Sequence, residues 1–307
     1  MDNIRRIGVV TVTYNSAKVL PQFLQSVLAQ TFRDFLLYIV DNGSKDESLE
    51  LIYEHVDSRI RVIPNVQNLG VAEGNNQGIR AALADHCDAV LLLNNDTEFP
   101  YDLFAKLCSG LQEFQADMTT AKMLYFRPSD VIWCAGGWLD PRRFFGAFHY
   151  GMGQPDNGQY DQPRRVTYAP TCCLLIDRSV FDRVGLMDSR YFVYADDVDF
   201  LYRCFQQDLA VWYDPRAIIY HKVSALTGGD DSEFAIRYMT RNRVYFLRKH
   251  LPMWRVILWS LHFLAITAPR RLVARRDSVR IWWLRCRSFV EGWRLEVPRS
   301  AAAANRR

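Results

Sequence analysis

The sequence predicts an α/β protein: a mostly parallel central sheet with helices on both faces. Three observations carry that expectation. Short apolar, β-branched runs at Ile7–Thr13, Phe35–Val40 and Ala89–Leu93 alternate with segments whose apolar residues recur at helical spacing. Each run stays apolar along its length, as a strand covered on both faces must. Each ends in turn chemistry, at Tyr14-Asn15-Ser16, Asp41-Asn42-Gly43-Ser44 and Asn94-Asn95-Asp96.

The first strand, Ile7–Thr13, leads through Ser16, placed as an N-cap, into a helix over Val19–Ala29. Leu20, Phe23, Leu24, Val27 and Leu28 share one face of that helix. Phe35–Val40 is the second strand. Ser48–His55 reads as a helix, Ile60–Ile63 as a strand, Asn68–Gly74 as a loop and Asn75–Ala84 as a helix. Ala89–Leu93 is a further buried strand. The second half is less regular. Trp133–Gly158, rich in glycine and aromatics, reads as a loop-dominated insertion over the ligand crevice. Tyr168–Ile176 is a strand and Arg178–Val184 a short helix, and Tyr191–Gln207 runs a carboxylate cluster into a helix. Val211–Tyr213 and Ile218–Tyr220 are short strands, and Ser232–His250 is helical.

The length of 307 residues is ample for one large α/β domain with appendages. Seven cysteines, an odd count with no C-x-x-C pair, suggest neither a zinc module nor a disulfide framework. With no signal-peptide pattern at the N-terminus, this points to a reducing, cytoplasmic setting. Net charge is +4 but uneven. From Arg248 onward fourteen Lys and Arg face three Asp and Glu, leaving the rest of the chain about −7. A basic C-terminal region suits an anionic partner. Its apolar run Val256–Ala268, thirteen residues stopped by Pro269, is expected to be too short to span a bilayer. The arginines from Arg270 to Arg287, interleaved with Trp282 and Trp283, suit an amphipathic helix on an anionic membrane surface, or a helical pair docked on the domain. No nucleic-acid recognition module accompanies the charge. The expected organisation is a catalytic domain over 1–250, a basic helical region over 251–300 and a disordered tail over 301–307.

In open parallel sheets ligands bind beyond the carboxyl ends of the strands. Tyr14, Asn15, Asp41, Asn42, Asn68, Asn94 and Asp96 should therefore gather in one crevice. Asn94-Asn95-Asp96-Thr97 fits an Asx turn, or a carboxylate for a divalent cation that also holds a diphosphate. Asp196, Asp197 and Asp199 place three repelling carboxylates within four residues, flanked by Tyr191-Phe192-Val193-Tyr194 and Phe200-Leu201-Tyr202. A helix N-terminus accepts acids, but in an apolar crevice their cost points to a metal, a substrate hydroxyl or a basic partner. His221, just past a strand, is either a structural histidine or a ligand completing a metal site with Asp96. Gly70, Gly74 and Gly78 are expected to let a ligand approach the backbone. No G-x-G-x-x-G, P-loop, H-E-x-x-H or nucleophile elbow occurs.

These segments, in this order, resemble the family 2 glycosyltransferases of the GT-A fold, nearest to bacterial rhamnosyltransferases of surface polysaccharide (O-antigen type) synthesis. The resemblance runs from about Ile7 to His250 and rests on Val10–Asn15, Val40–Ser44, Asn68-Leu69-Gly70 with Gly74-Asn75-Asn76, Asn94–Thr97, Val184–Asp188, Tyr194–Asp199, His221 and Arg241-Asn242-Arg243. It implies an inverting hexosyltransferase using a nucleotide-sugar donor, dTDP- or UDP-linked and best matched by dTDP-rhamnose. The implied acceptor is a glycan or polyprenyl-diphosphate-linked glycan, at the inner face of the plasma membrane. Thr11, Thr13, Tyr14 and Asp41 would line the base pocket, with Asn15, Asn42, Asn68, Asn75, Asn94 and Asn95 also on the donor side. Asp96 and His221 would hold Mg²⁺ or Mn²⁺. Asp197 would be the catalytic base beside Asp196. Trp133, Gly136, Gly137 and Trp138 are expected on the acceptor side, and Arg241 and Arg243 complete the pattern. Two positions depart from the family: Asn94 replaces the first acid of the DXD motif, and Asp196-Asp197 replaces Glu-Asp. A nucleotidyltransferase would show a basic glycine-rich loop where Tyr14-Asn15-Ser16 stands. A non-catalytic nucleotide-sugar-binding protein on the same fold is the other alternative.

Overall fold

The structure, a computed structural model, describes residues 4–223, 232–274 and 276–298. The tail of 301–307 lies outside the described residues. The chain divides into two compact units, the first holding residues 4–192 and 196–223, the second 193–195 and the described residues from 232 onward.

The first unit opens with β1 (Ile7–Thr13), α1 (Leu20–Leu28), β2 (Phe35–Asp41), α2 (Ser48–Tyr53), β3 (Ile60–Pro64), α3 (Val71–Ala84) and β4 (Ala89–Leu93). It continues with β5 (Thr97–Glu98), α4 (Leu103–Glu113), β6 (Met118–Tyr125), β7 (Ile132–Cys134), β8 (Gly137–Asp140), β9 (Gly146–His149), β10 (Arg164–Val166), β11 (Cys173–Asp177), α5 (Arg178–Val184), α6 (Asp196–Gln206) and β12 (Val211–His221). The sheet order is β10-β12-β6-β11-β4-β1-β2-β3, with β5 on β12 and β7 on β6. β4, β1, β2 and β3 are parallel, as are β6 and β12. β11 lies antiparallel between β4 and β6.

Apolar runs set these strands. β4 is buried at all five residues, and β1 and β2 are buried at all but one each. On one side, α1 lays Leu20, Phe23, Leu24 and Val27 against Val9, Leu37 and Ile39. Each such side chain contributes about 1.5–3 kcal/mol relative to exposure. On the other side, α3 sits directly on β1. A Cβ at Gly74 would stand 2.8 Å from Val12, and one at Gly78 would strike Val10. Gly74 and Gly78, expected to admit a ligand, thus serve helix-on-strand packing.

Several local readings differ: α3 begins at Val71, inside the predicted loop, and β11 begins at Cys173 rather than Tyr168. Ser16 does not cap α1 with its side chain: its carbonyl accepts from Val19 and Leu20, and the helix starts at Leu20 with Pro21 in its first turn. The two short strands at 211–220 are one strand with an irregularity between Asp214 and Ile218. Trp133–Gly158 holds a β8–β9 hairpin rather than loop alone.

The second unit is helical. α7 (Glu233–His250) begins at Ser232, whose Oγ accepts from Ala235 N at 3.1 Å. α8 (Met253–His262), a π turn at Phe263–Thr267 and α9 (Ala268–Val273) follow, then α10 (Val279–Arg294). Gly292 lets α10 meet α7, since a Cβ there would lie 2.7 Å from Val244 Cβ. Val244, Phe263, Ala268 and Phe289 form this unit's core, with Phe263 and Phe289 stacked at 5.5 Å. The apolar run expected to be too short for a bilayer belongs to a longer helix. Met253–Val273 is helical over 21 residues and is long and apolar enough, by length and composition, to cross a membrane. Pro269 does not stop it; a π turn at Phe263–Thr267 stands directly before it, where the backbone hydrogen bonding changes register.

Candidate active site

Loops at the carboxyl ends of the parallel strands are tied to one another. Asn42 N donates to Thr13 O at 2.8 Å. Asn15, in a left-handed conformation, donates its N–H to Ser44 Oγ at 2.9 Å and accepts Lys45 N at 2.7 Å. Asn95 Nδ2 reaches Val12 O at 3.0 Å and Ser16 Oγ at 3.2 Å. Asn42 Nδ2 holds Gly70 O at 3.0 Å, and Asn68 Oδ1 accepts Gly70 N at 2.9 Å. Gly70 has φ +85°, and its neighbour Val71 N donates to Phe192 O at 2.5 Å, so a Cβ at Gly70 would strike Phe192. Asn76 brackets Met187 through both its side-chain atoms, each at 2.9 Å. The loops after β1, β2 and β4 are thus linked to one another or to Gly70, and the segment after β3 together with Asn76 meets the stretch that leads to Asp196.

Within this assembly the Thr11 and Thr13 hydroxyls are buried without a hydrogen-bond partner among the described residues. Tyr14 and Asn94 are exposed, and Asn75 is buried. Asp41 is fully buried, and its carboxylate accepts Gly43 N, Ser44 N and Ser44 Oγ. Asn42, Asn68 and Asn95 spend their side chains on the loops themselves, so loop architecture alone accounts for these three.

Asp96 follows β4 and precedes β5. The short β5 pairs antiparallel with the end of β12, matching Thr97 with His221. That register sets His221 Nε2 3.3 Å from Asp96 Oδ1. Asp96 Oδ1 and His221 Nδ1 are buried and lack hydrogen-bond partners among the described residues. The unpartnered Asp96 Oδ1, facing His221 Nε2 at 3.3 Å, fits a divalent cation that draws its other ligands from phosphate oxygens, while Nδ1 lies on the far side of the ring. No cluster of three protein ligands occurs among the described residues, so a cation here needs the ligand to complete its shell.

A file of rings leads away from this pair. Trp133 meets His221 edge-on at 4.4 Å and His149 edge-on at 4.9 Å. His149 stacks on Tyr168 at 5.7 Å. Tyr168 OH donates to Asp197 Oδ2 at 2.6 Å. Trp138 stacks on Phe148 at 5.4 Å and, with Gly137, Tyr150, Thr167, Leu201 and Phe205, lines a cavity of about 290 Å³. Gly136 has φ +73°. A Cβ at Gly137 would lie 2.9 Å from the Tyr168 ring. Tyr168 and His149 are absent from the sequence-derived site. The signal for His149 was the aromatic density of 133–158, and Tyr168 was read only as the start of a strand.

The three acids divide. Asp199 is fully buried and held by Arg203 Nε and Tyr191 OH, each at 3.0 Å, which is a structural role. Asp196 is 4% exposed, and its Oδ2 lacks a hydrogen-bond partner among the described residues. Burial first, and then the charge of Asp197, push the Asp196 carboxyl well above the usual carboxylate range. Asp197 is half-buried and also raised by burial, with hydrogen bonds from Tyr168 and Val198 N pulling the other way. Phe192, Tyr194 and Ala195 all carry positive φ just before the pair, a strained approach of the sort found at functional sites.

In the second unit, Arg241 and Arg243 lie on α7, with guanidinium groups over Tyr238 and Phe246. Between them Asn242, fully buried, donates to Val193 O at 2.7 Å and Tyr194 O at 2.8 Å. The motif therefore holds a residue with a definite partner that the two arginines overshadow in the sequence.

Comparison with known proteins agrees with this arrangement. The chain is 26% identical over 307 aligned residues to the N-acetylglucosaminyl-diphospho-decaprenol L-rhamnosyltransferase of Mycobacterium tuberculosis, covering 93% of this chain and 98% of that protein. It is 27% identical to a PGL/p-HBAD biosynthesis glycosyltransferase of Mycobacterium bovis over 66% of this chain and 71% of that one. Among solved structures, the mannosyltransferase PcManGT of Pyrobaculum calidifontis, in complex with GDP-Man and Mn²⁺, superposes with a TM-score of 0.57 at 14% identity over 97% of this chain and 78% of that one. GalNAc-T7 with UDP, GalNAc and Mn²⁺ gives 0.60 at 16% identity over 81% and 51%. These likenesses establish the GT-A fold. The model of glycosyl transferase family 2 matches residues 8–185. With that match over more than half its length, the chain is a glycosyltransferase and belongs to glycosyl transferase family 2.

Proposed function

We propose that the enzyme is an inverting hexosyltransferase of bacterial surface-glycan synthesis. It moves a sugar, L-rhamnose from dTDP-rhamnose, to a hydroxyl of a polyprenyl-diphosphate-linked glycan. The supporting observation is the pairing of two half-sites along one file of rings: Asp96 with His221 at one end, Asp197 beside Asp196 at the other. The near full-length match to a rhamnosyltransferase named for a diphospho-decaprenol acceptor supports the choice of sugar and acceptor.

Asp197 accepts the proton of the acceptor hydroxyl as that oxygen attacks the anomeric carbon, and the bond to the diphosphate breaks. One displacement inverts the centre, through an oxocarbenium-like transition state. Asp96 and His221 would hold Mg²⁺ or Mn²⁺, which when bound supplies positive charge against the leaving diphosphate. Thr11, Thr13, Tyr14 and Asp41 surround the base, with Asn75 and Asn94 toward the ribose and diphosphate. Trp133, Trp138 and the cavity beside Gly137 face the acceptor. In this reading residues 1–250 form the catalytic region, and 251–300 rests on the anionic inner surface of the plasma membrane.

The test is release of dTDP from dTDP-rhamnose with Mn²⁺, with and without N-acetylglucosaminyl-diphospho-polyprenol. Acceptor-dependent release that Asp197→Asn cuts by about 10²–10⁴-fold, with donor affinity retained, is the expected result. Near-normal turnover by that variant would remove Asp197 as the base. Release from UDP-sugars alone would change the donor.

A further inference from the structure

We infer that Tyr168 is a positioning residue for Asp197: its phenol holds the carboxylate in place and keeps it ionised for proton transfer. The inference rests on the reading of Asp197 as the base and adds a residue to it. Tyr168 is 5% exposed, and its OH donates to Asp197 Oδ2 at 2.6 Å. Tyr168 is fixed from two sides. Its ring stacks on His149 at 5.7 Å with 18° between planes. His149 is itself set by Trp133, edge-on at 4.9 Å and with Trp133 O 3.2 Å from its Nδ1. The backbone of Tyr168 is bridged to Gly137, donating to its carbonyl at 3.2 Å, and the absence of a side chain at Gly137 leaves room for the ring.

A hydrogen bond to the charged form favours ionisation. Asp197 needs that help, because burial raises its carboxyl. The titratable groups near it among the described residues include Asp196, Tyr168 and the buried thiol of Cys134, with Asp199 beyond Asp196 and His149 beyond Tyr168. Tyr168 is the neutral donor among them: its phenol is pushed far above its usual value by burial and by Asp197, so it keeps its proton wherever the enzyme works. Oδ1 is fixed by Val198 N at 2.7 Å, so the two oxygens are held by one backbone and one side-chain donor.

The experiment is a carbon-13 carboxyl titration of the full chain labelled at aspartate, with the Asp197 resonance identified by its loss in Asp197→Asn. It needs neither donor nor acceptor. Tyr168→Phe should move the titration of the 196/197 pair upward by about one pH unit. A fluorinated tyrosine at position 168 alone, a stronger donor, should move it downward, and this arm stands if the Phe variant fails to fold. In turnover, Tyr168→Phe should lower kcat most on the acidic side and leave donor KM unchanged. An unmoved titration in both variants overturns the inference whatever the turnover. A moved titration with full activity in Asp197→Asn would overturn the reading of the base and leave the hydrogen bond standing.

Discussion

His221 Nε2 stands 3.3 Å from Asp96 Oδ1 because a two-residue strand, Thr97–Glu98, pairs with the last two residues of β12. One carboxylate and one imidazole make a weak site for a cation alone, and phosphate oxygens must complete it. Binding of dTDP should therefore be tighter with Mn²⁺ than with chelator. Asp96→Ala should remove that difference, costing tenfold or more, about 1.4 kcal/mol. Titration calorimetry with dTDP checks this. Equal affinities with and without Mn²⁺ in the parent enzyme would deny the pair a metal role.

The raised carboxyls of Asp196 and Asp197 have consequences for both rate and stability. A base that is protonated cannot accept a proton, so turnover should fall on the acidic side at a pH above the ordinary carboxylate range. Burial of Asp197 itself sets that limb, and Asp196 keeps its proton there, so Asp196→Asn should move the limb little. For the stability contribution of Asp196 the sign is the reverse of the usual salt-bridged acid. The folded state binds this proton more tightly than the unfolded chain, so the contribution favours folding at low pH and is lost as pH rises through the raised value. Asp196→Asn should thus raise Tm by a few degrees near pH 8 and by little near pH 4, as scanning calorimetry at the two pH values would show.

Gly70→Ala should be costly out of proportion to one methyl. The position has φ +85° and the added Cβ would strike the Phe192 backbone. A loss of at least about 2 kcal/mol in denaturant unfolding is expected. Because Phe192 leads into the strained approach to Asp196, kcat should also fall although Gly70 is remote in sequence from the acid pair. Wild-type stability in this variant would show that the turn relaxes freely.

The helix over Met253–Val273 exposes Trp254, Ile257, Leu258, Leu261 and Leu264 at three- and four-residue spacing, while Val256, Ser260 and Phe263 are buried. Arg270, Arg271 and Arg276 lie near its C-terminal end. Binding to vesicles containing phosphatidylglycerol should weaken at least tenfold in Trp254→Asp/Leu261→Asp, and salt should weaken binding of the parent. Cosedimentation measures both. Equal binding to neutral and anionic vesicles would rule out the arginines as the anchor.

The sheet from β1 to β4 was legible because buried parallel strands leave unbroken apolar runs and their connecting helices keep a clean stripe. The region between 98 and 132 was not. Its central strand β6 is buried at seven of eight positions, yet reads Met-Thr-Thr-Ala-Lys-Met-Leu-Tyr. Thr119 and Thr120 hide there by donating to Leu107 O and Cys173 O, partners that no local pattern reveals. The acids and the histidine of the site stood out by type and order. Tyr168 did not, because its significance lies in a bond to a residue 29 positions on. Asp199 shows the opposite error of reading a cluster as one unit: Arg203 on the next turn claims it for the fold.

Lys122 is the one cation threaded through that buried strand. Its ammonium lies between Asp156 and Asp161, at 2.9 Å from the former. Sliding β6 by one residue would turn the lysine to the opposite face, away from both acids, and strand an unpaired charge in the interior. The loop carrying the two acids thereby acts as a proofreader of strand alignment, accepting a single placement of β6 beside β11 and β12 and penalising its near neighbours.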